Sequence, residues 1–137
     1  MKKKRIIYIL VLLLVFTFVY RLIPAENLIF FKPSDKVIHL EDTSVSCRLM
    51  NLSMKTVDYD GPFYVLEFFK DTEWIRCTMD PGIRFETWGG YLQPFHSKDF
   101  AFGLTTFDEL QPGEYRIRKT MEINEAKFYT YCYFTIM

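Results

Sequence analysis

Leu110-Gln111-Pro112-Gly113-Glu114-Tyr115-Arg116-Ile117-Arg118-Lys119 is the stretch that decides the fold. A Pro-Gly turn delivers the chain into a run in which Tyr115 and Ile117 alternate with Arg116 and Arg118, the period-2 pattern of a half-buried strand. Leu110, Pro112, Gly113 and Tyr115 together have the form of a tyrosine corner. In that motif a Tyr near the start of one strand of an immunoglobulin-like sandwich folds back so that its hydroxyl bonds upstream backbone.

Outward from this stretch, apolar and polar residues alternate in short runs. Val37 to Glu41 reads as a short edge strand, and Val45 to Leu52 as a core strand with Val45, Cys47 and Leu49 on one face. Phe63 to Phe69 and Trp74 to Cys77 form a hairpin. Glu67 marks its outer face and places Tyr64, Leu66 and Phe68 inward. Ile83 to Trp88, Lys98 to Leu104 and Lys127 to Ile136 complete the set, while residues 53–62 read as a long polar connection. Seven or eight short strands at regular spacing predict an all-β antiparallel sandwich of immunoglobulin-like type.

The chain has 137 residues, room for one domain and a short addition. That addition is N-terminal: Lys2, Lys3, Lys4 and Arg5 precede Ile6 to Tyr20, a run of fifteen residues without a charge. The expected organisation is a signal-anchor helix over residues 1–25, a juxtamembrane linker over 26–36, and the sandwich over 37–137. The linker's Leu28-Ile29-Phe30-Phe31 either lies at the bilayer interface or starts the first strand, which is the better reading. Ile23-Pro24-Ala25 is a poor cleavage site because Ile replaces a small residue, and Arg21 is placed to snorkel to the headgroups. A retained helix is therefore favoured over cleavage near Ala25, which would give a secreted ligand-binding protein. The basic cluster at the N-terminus puts that end in the cytoplasm and the domain outside.

The zero net charge of the whole chain conceals an asymmetry. From residue 22 on there are twelve basic and seventeen acidic side chains, a net charge of −5. Nucleic-acid binding rests on Lys and Arg neutralising phosphates, so an acidic domain argues against it.

The hairpin Tyr64-Val65-Leu66-Glu67-Phe68-Phe69-Lys70-Asp71-Thr72-Glu73-Trp74, the corner Leu110 to Lys119 and the closing Phe134-Thr135-Ile136 resemble the bacterial immunoglobulin-like domains of exported and membrane-attached Gram-positive proteins. The resemblance spans roughly residues 42–137. It implies the sandwich fold, an extracytoplasmic setting and no enzymatic activity. Members often carry Gly at the hairpin turn before the Trp, where this chain has Thr72-Glu73.

Candidate chemistry is sparse. His39 and His96 lie in separate elements without paired spacing, so no metal or nucleophile site is expected, and no cofactor. Asp58-Tyr59-Asp60-Gly61 has the start of a calcium loop but lacks the later carboxylate, so turn chemistry explains it. Asn51-Leu52-Ser53 matches a glycosylation acceptor by chance. Cys47, Cys77 and Cys132 read as buried thiols, with a bridge from Cys47 to Cys132 or Cys77 as the alternative.

The last strand carries the best candidate surface. Phe128, Cys132, Phe134 and Ile136 point inward, so Tyr129, Tyr131 and Tyr133 line the outer face beside Arg116 and Arg118. A tight turn over Glu122 to Ala126 sets Arg118 against Tyr129 and Arg116 against Tyr131. The result is either a self-contained ladder or a recognition surface for an envelope or membrane protein, since Tyr and Arg are enriched at interface hot spots.

Overall fold

Eleven-residue strands with strict alternation dominate the C-terminal quarter of the chain, and the rest of the architecture is arranged on them. In the computed structural model, which describes residues 2–85 and 89–137, helix α1 (Lys2–Leu22) and a 3-10 turn (Ala25–Leu28) precede ten strands. These are β1 (Ile29–Pro33), β2 (Val37–Ile38), β3 (Ser44–Asn51), β4 (Val57–Tyr59), β5 (Val65–Lys70), β6 (Glu73–Arg76), β7 (Gly90–Leu92), β8 (Ser97–Gly103), β9 (Gly113–Ile123) and β10 (Ala126–Ile136).

Two sheets result. One is the antiparallel trio β1-β3-β8; the other runs β2-β10-β9-β4-β7. Strand β9 pairs with β10 along its whole length, while its opposite edge is shared, by β5 at Tyr115–Arg118 and by β4 at Met121–Glu122. The hairpin β5-β6 is thus a branch of the larger sheet. Inward residues of both sheets meet in one core: Phe31, Val45, Cys47, Leu49 and Phe102 from the smaller, Leu66, Tyr115, Ile117, Met121, Cys132, Phe134 and Ile136 from the larger. This is the immunoglobulin-like β-sandwich that the alternation predicts.

The differences from the sequence reading have physical causes. Within residues 26–36 the preferred reading of Leu28-Ile29-Phe30-Phe31 as the start of a strand matches β1, but β1 pairs with β3 from Ile29↔Asn51 to Pro33↔Cys47 and buries Ile29 and Phe31, so this part of the expected linker belongs to the sandwich. The polar connection over 53–62 contains β4, which pairs with β7 from Val57↔Leu92 to Tyr59↔Gly90. A Cβ at Gly90 would run into the Tyr59 ring, so this glycine allows close approach within a ladder rather than ending it. Ile83 to Phe85 form no strand, and the remainder of that predicted strand lies outside the described residues.

Both tight hairpins use two-residue turns in the left-handed region. Asp71 and Thr72 have φ of 50° and 73°, and Asn124 and Glu125 of 50° and 67°. Two successive positive φ values match the right-handed twist of the flanking strands.

Candidate functional site

The corner comes first, because it aims the strand that carries the site. Tyr115 is buried between the rings of Phe68 and Phe134, at 4.9 and 5.9 Å. Its Oη donates to the carbonyl of Gln111 at 2.8 Å and accepts the Gln111 N–H at 3.1 Å. Leu110 packs against the core beneath the loop. Gly113 has φ of +154°, and a Cβ there would strike the Phe68 ring, so the residue after Pro112 must be glycine.

Alternation then sends Arg116 and Arg118 to the outer face of β9, where they meet β10 and the β5-β6 hairpin. Direct partners in the ladder are Tyr133 for Arg116 and Tyr131 for Arg118, two residues beyond the expected register. The two-residue turn is centred between Asn124 and Glu125, one residue further along the chain than the expected register requires, and that accounts for the shift. Both guanidinium groups nevertheless lean diagonally onto the rings anticipated for them. Arg116 Cζ lies 4.3 Å from the Tyr131 centroid and Arg118 Cζ 4.7 Å from that of Tyr129. Diagonal neighbours in a sheet are within reach of long side chains.

Two residues outside the expected set complete the arrangement. Trp74 of β6 packs on Arg116 at 4.4 Å and meets Tyr133 edge-on at 5.7 Å, so Arg116 makes cation–π contacts with two rings. Glu67 lies on the outer face as expected, yet it is buried, because both arginines and the hairpin cover it. Its carboxylate accepts from Arg116 Nε at 2.5 Å and faces Arg118 Nη1 at 3.7 Å. Burial works against the Arg116 charge, but Glu67 and then Tyr133 outweigh it and hold the guanidinium above its usual pKa. A lone outward Glu in a hydrophobic strand was the available signal, while its pairing with Arg116 comes from the β5-β9 register that only the fold supplies.

The outcome is an assembled surface. Arg116 is mostly enclosed, whereas Tyr129 and Tyr133 are 54% and 52% exposed. Beside Tyr133 opens a shallow cavity of about 360 Å³, lined by Lys36, Trp74, Glu114 and Thr135 among others. Its rim therefore carries both signs of charge and aromatic rings.

The inner face of the same strand holds a residue that the sequence reading passed over. Lys119 shares the parity of Tyr115 and Ile117 and is 1% exposed. Its Nζ donates to the carbonyls of Asp60, Gly61 and Phe63 at 3.0, 2.8 and 2.8 Å, tying the β4-β5 loop to the core. The rings of Phe100, Tyr59 and Phe102 surround it at 5.1 to 5.9 Å. Burial brings its pKa down to about 8, and Lys98 adds to the fall while Asp60 opposes it.

The main-chain N–H of His39 donates to the Asp42 carboxylate, and the His96 ring Nδ1 lies 2.8 Å from the Pro94 carbonyl oxygen, so the two histidines share no partner. Asp58 lies in β4, and Asp60 uses its carbonyl on Lys119.

A family model described as a bacterial Ig-like domain matches residues 29–133. Solved structures similar to the chain include the periplasmic chaperone SfaE, at 6% identity and a TM-score of 0.48, over 79% of this chain and 55% of that one. PapD-like domain 7 of human CEP192 is similar at 13% identity and a TM-score of 0.40, over 78% and 83%. The Pseudomonas fluorescens alkylpurine DNA glycosylase AlkC matches at 13% identity and a TM-score of 0.37, over 80% and 30%. The chain thus spans about half the length of the solved chaperone. No curated protein matches it.

Proposed function

Since the chain belongs to the bacterial Ig-like domain family and places an apolar helix ahead of that domain, we propose that it is a membrane-anchored extracytoplasmic module. Its role is non-catalytic: it binds an envelope or membrane protein through the outer face of β9 and β10. The observation that carries this reading is the half-exposure of Tyr129 and Tyr133 on a frame made rigid by Trp74, Arg116, Tyr131 and Glu67. Rigid aromatic side chains give contact area at low entropic cost, which favours association.

Retention of α1 draws support from the residues after it. Lys3–Leu22 is long and apolar enough to cross a bilayer. Ala25, the residue at the nearest small-residue cleavage pattern, belongs to a 3-10 turn and packs against the core, and the Tyr20 hydroxyl donates to the Leu52 carbonyl.

Retention also sets which end of the sandwich faces the bilayer. The loops nearest the helix, tied together by Asn51 through the carbonyls of Lys55, Leu92 and Gln93, display Leu52, Met54 and Phe95 at 44%, 49% and 61% exposure. This apolar rim rests on the membrane interface, and the tyrosine face stands free at the side.

The test is site-specific photo-crosslinking in intact cells, with the probe at Tyr129 or Tyr133 and, as control, at Arg48 on the outer face of the other sheet. A discrete adduct to the same protein from both tyrosine positions and not from Arg48 supports the reading. Identical patterns from all three positions, or none, overturn it.

A further inference from the structure

Two of the three cysteines face each other across the core. Cys47 is central in β3 of the smaller sheet and Cys132 central in β10 of the larger, at 1% and 0% exposure. Cys132 Sγ donates to Cys47 Sγ at 2.8 Å, and both are free thiols. A disulfide has an S–S length of about 2.05 Å, so the sulfurs at 2.8 Å stand roughly 0.8 Å from bonding distance. Cys77 is placed differently, half-buried after β6 beside Glu67.

We propose that Cys47 and Cys132 are the site of an inter-sheet disulfide, made by thiol–disulfide exchange with an extracytoplasmic carrier dithiol protein while the domain folds. The inference rests on the extracytoplasmic location above. The thiolate of one cysteine attacks the carrier disulfide, forms a mixed disulfide and releases one carrier thiolate. The second cysteine thiolate then attacks the chain's sulfur in that mixed disulfide, forms the Cys47–Cys132 bond and expels the other carrier thiolate. The two protons lost by the chain's thiols are taken up, through solvent, by the two expelled carrier thiolates, and two electrons pass with them, so that the carrier disulfide becomes a dithiol.

Burial dictates the timing. In the folded domain neither sulfur is accessible, and the contact with Cys47 together with burial pushes the Cys132 thiol above its usual pKa, which disfavours its thiolate. Exchange therefore precedes closure of the core, and the finished bond is sheltered from reductants. Cys77 remains as a thiol. Burial, with Glu67 adding to it, moves its pKa up to about 11, so at pH 7 only about one molecule in ten thousand carries the thiolate that would attack the new bond.

The experiment is refolding of the full chain in detergent, from the reduced and unfolded state, in a buffer of oxidised and reduced glutathione. Thiols are then alkylated under denaturing conditions without reductant, and the digest is read by mass. One alkylated residue, Cys77, and a linked Cys47–Cys132 peptide are expected. Three alkylated cysteines, or a link that includes Cys77, overturn the proposal wherever the domain resides. The same alkylation of protein from native membranes, beside protease treatment of intact cells, reads location separately: a protected, fully reduced domain overturns the extracytoplasmic reading while the refolding result stands. The oxidised chain is expected to melt roughly 10 °C or more above both its reduced form and the Cys47→Ala/Cys132→Ala variant. Equal melting of all three removes the bridge's structural role.

Discussion

Arg116 stands directly opposite Tyr133 in the β9-β10 ladder, yet its guanidinium stacks on Tyr131, two positions along. Trp74 covers its other side and Glu67 accepts its Nε–H. The arginine is therefore a structural member of the outer face. Its replacement by Met leaves the Glu67 carboxylate buried, with only Arg118 at 3.7 Å. A loss of about 2 to 4 kcal/mol is expected in urea denaturation. The double variant Glu67→Gln/Arg116→Met should recover part of it, because no uncompensated charge remains.

Tyr115→Phe removes one hydroxyl and two hydrogen bonds to Gln111 while leaving the ring between Phe68 and Phe134. The Gln111 groups lie partly open to water, which limits the cost to about 1 to 2 kcal/mol. A urea midpoint unchanged from that of the wild type would show that the corner is held by ring packing alone.

Much of the fold was legible where alternation is long and strict. Strands β9 and β10 each offer eleven residues, so face assignments from Tyr115 to Ile136 followed from parity. Strands β4 and β7 have three residues each, too few for a period, and they exist because they pair with each other against β9. The outer face was legible as a set of residues but not as a register, since register depends on turn length and a two-residue shift keeps every side chain on its face. Lys119 was open to the same parity that placed Ile117 inward. Its charge argued for solvent, and only the three carbonyls of a distant loop make its burial possible.

Thr72 occupies the second position of the β5-β6 turn with φ of 73°. A β-branched residue is strained in the left-handed region, and glycine is free of that strain. Thr72→Gly should therefore stabilise the domain, by about 0.5 to 1 kcal/mol, despite the added flexibility of the unfolded chain. A higher melting temperature with an unchanged Trp74 environment in near-UV circular dichroism is the expected result.

Phe95 has φ of 60° and is 61% exposed, so the fold gains nothing visible from its ring. If the ring serves the membrane interface, Phe95→Gly should raise stability by about 0.5 to 1 kcal/mol and weaken contact with lipid. In nanodiscs with a lipid-tethered spin label, the Met54 methyl signal of the wild type should broaden, and broadening should lessen in the variant. Equal broadening in both would take Phe95 out of the contact.

Lys119 gives the sharpest dependence on pH. Its pKa in the folded domain is about 8, below the ordinary 10.5 expected on unfolding. Between these values the unfolded chain holds more protons, so the free energy of unfolding rises with pH. The burial cost of the charge is present in full below pH 8 and is relieved as pH climbs toward 10.5. The three carbonyls oppose this, because an ammonium supplies three donors and a neutral amine two. Lys119→Met removes the titration and leaves those carbonyls without a donor, so it should destabilise the domain by about 1 to 3 kcal/mol at pH 7. The deficit relative to wild type should widen between pH 7.5 and 9.5, measured as the difference in urea midpoints, which cancels every other titrating group. A constant deficit would mean that the carbonyl cradle and its aromatic wall keep Lys119 charged throughout.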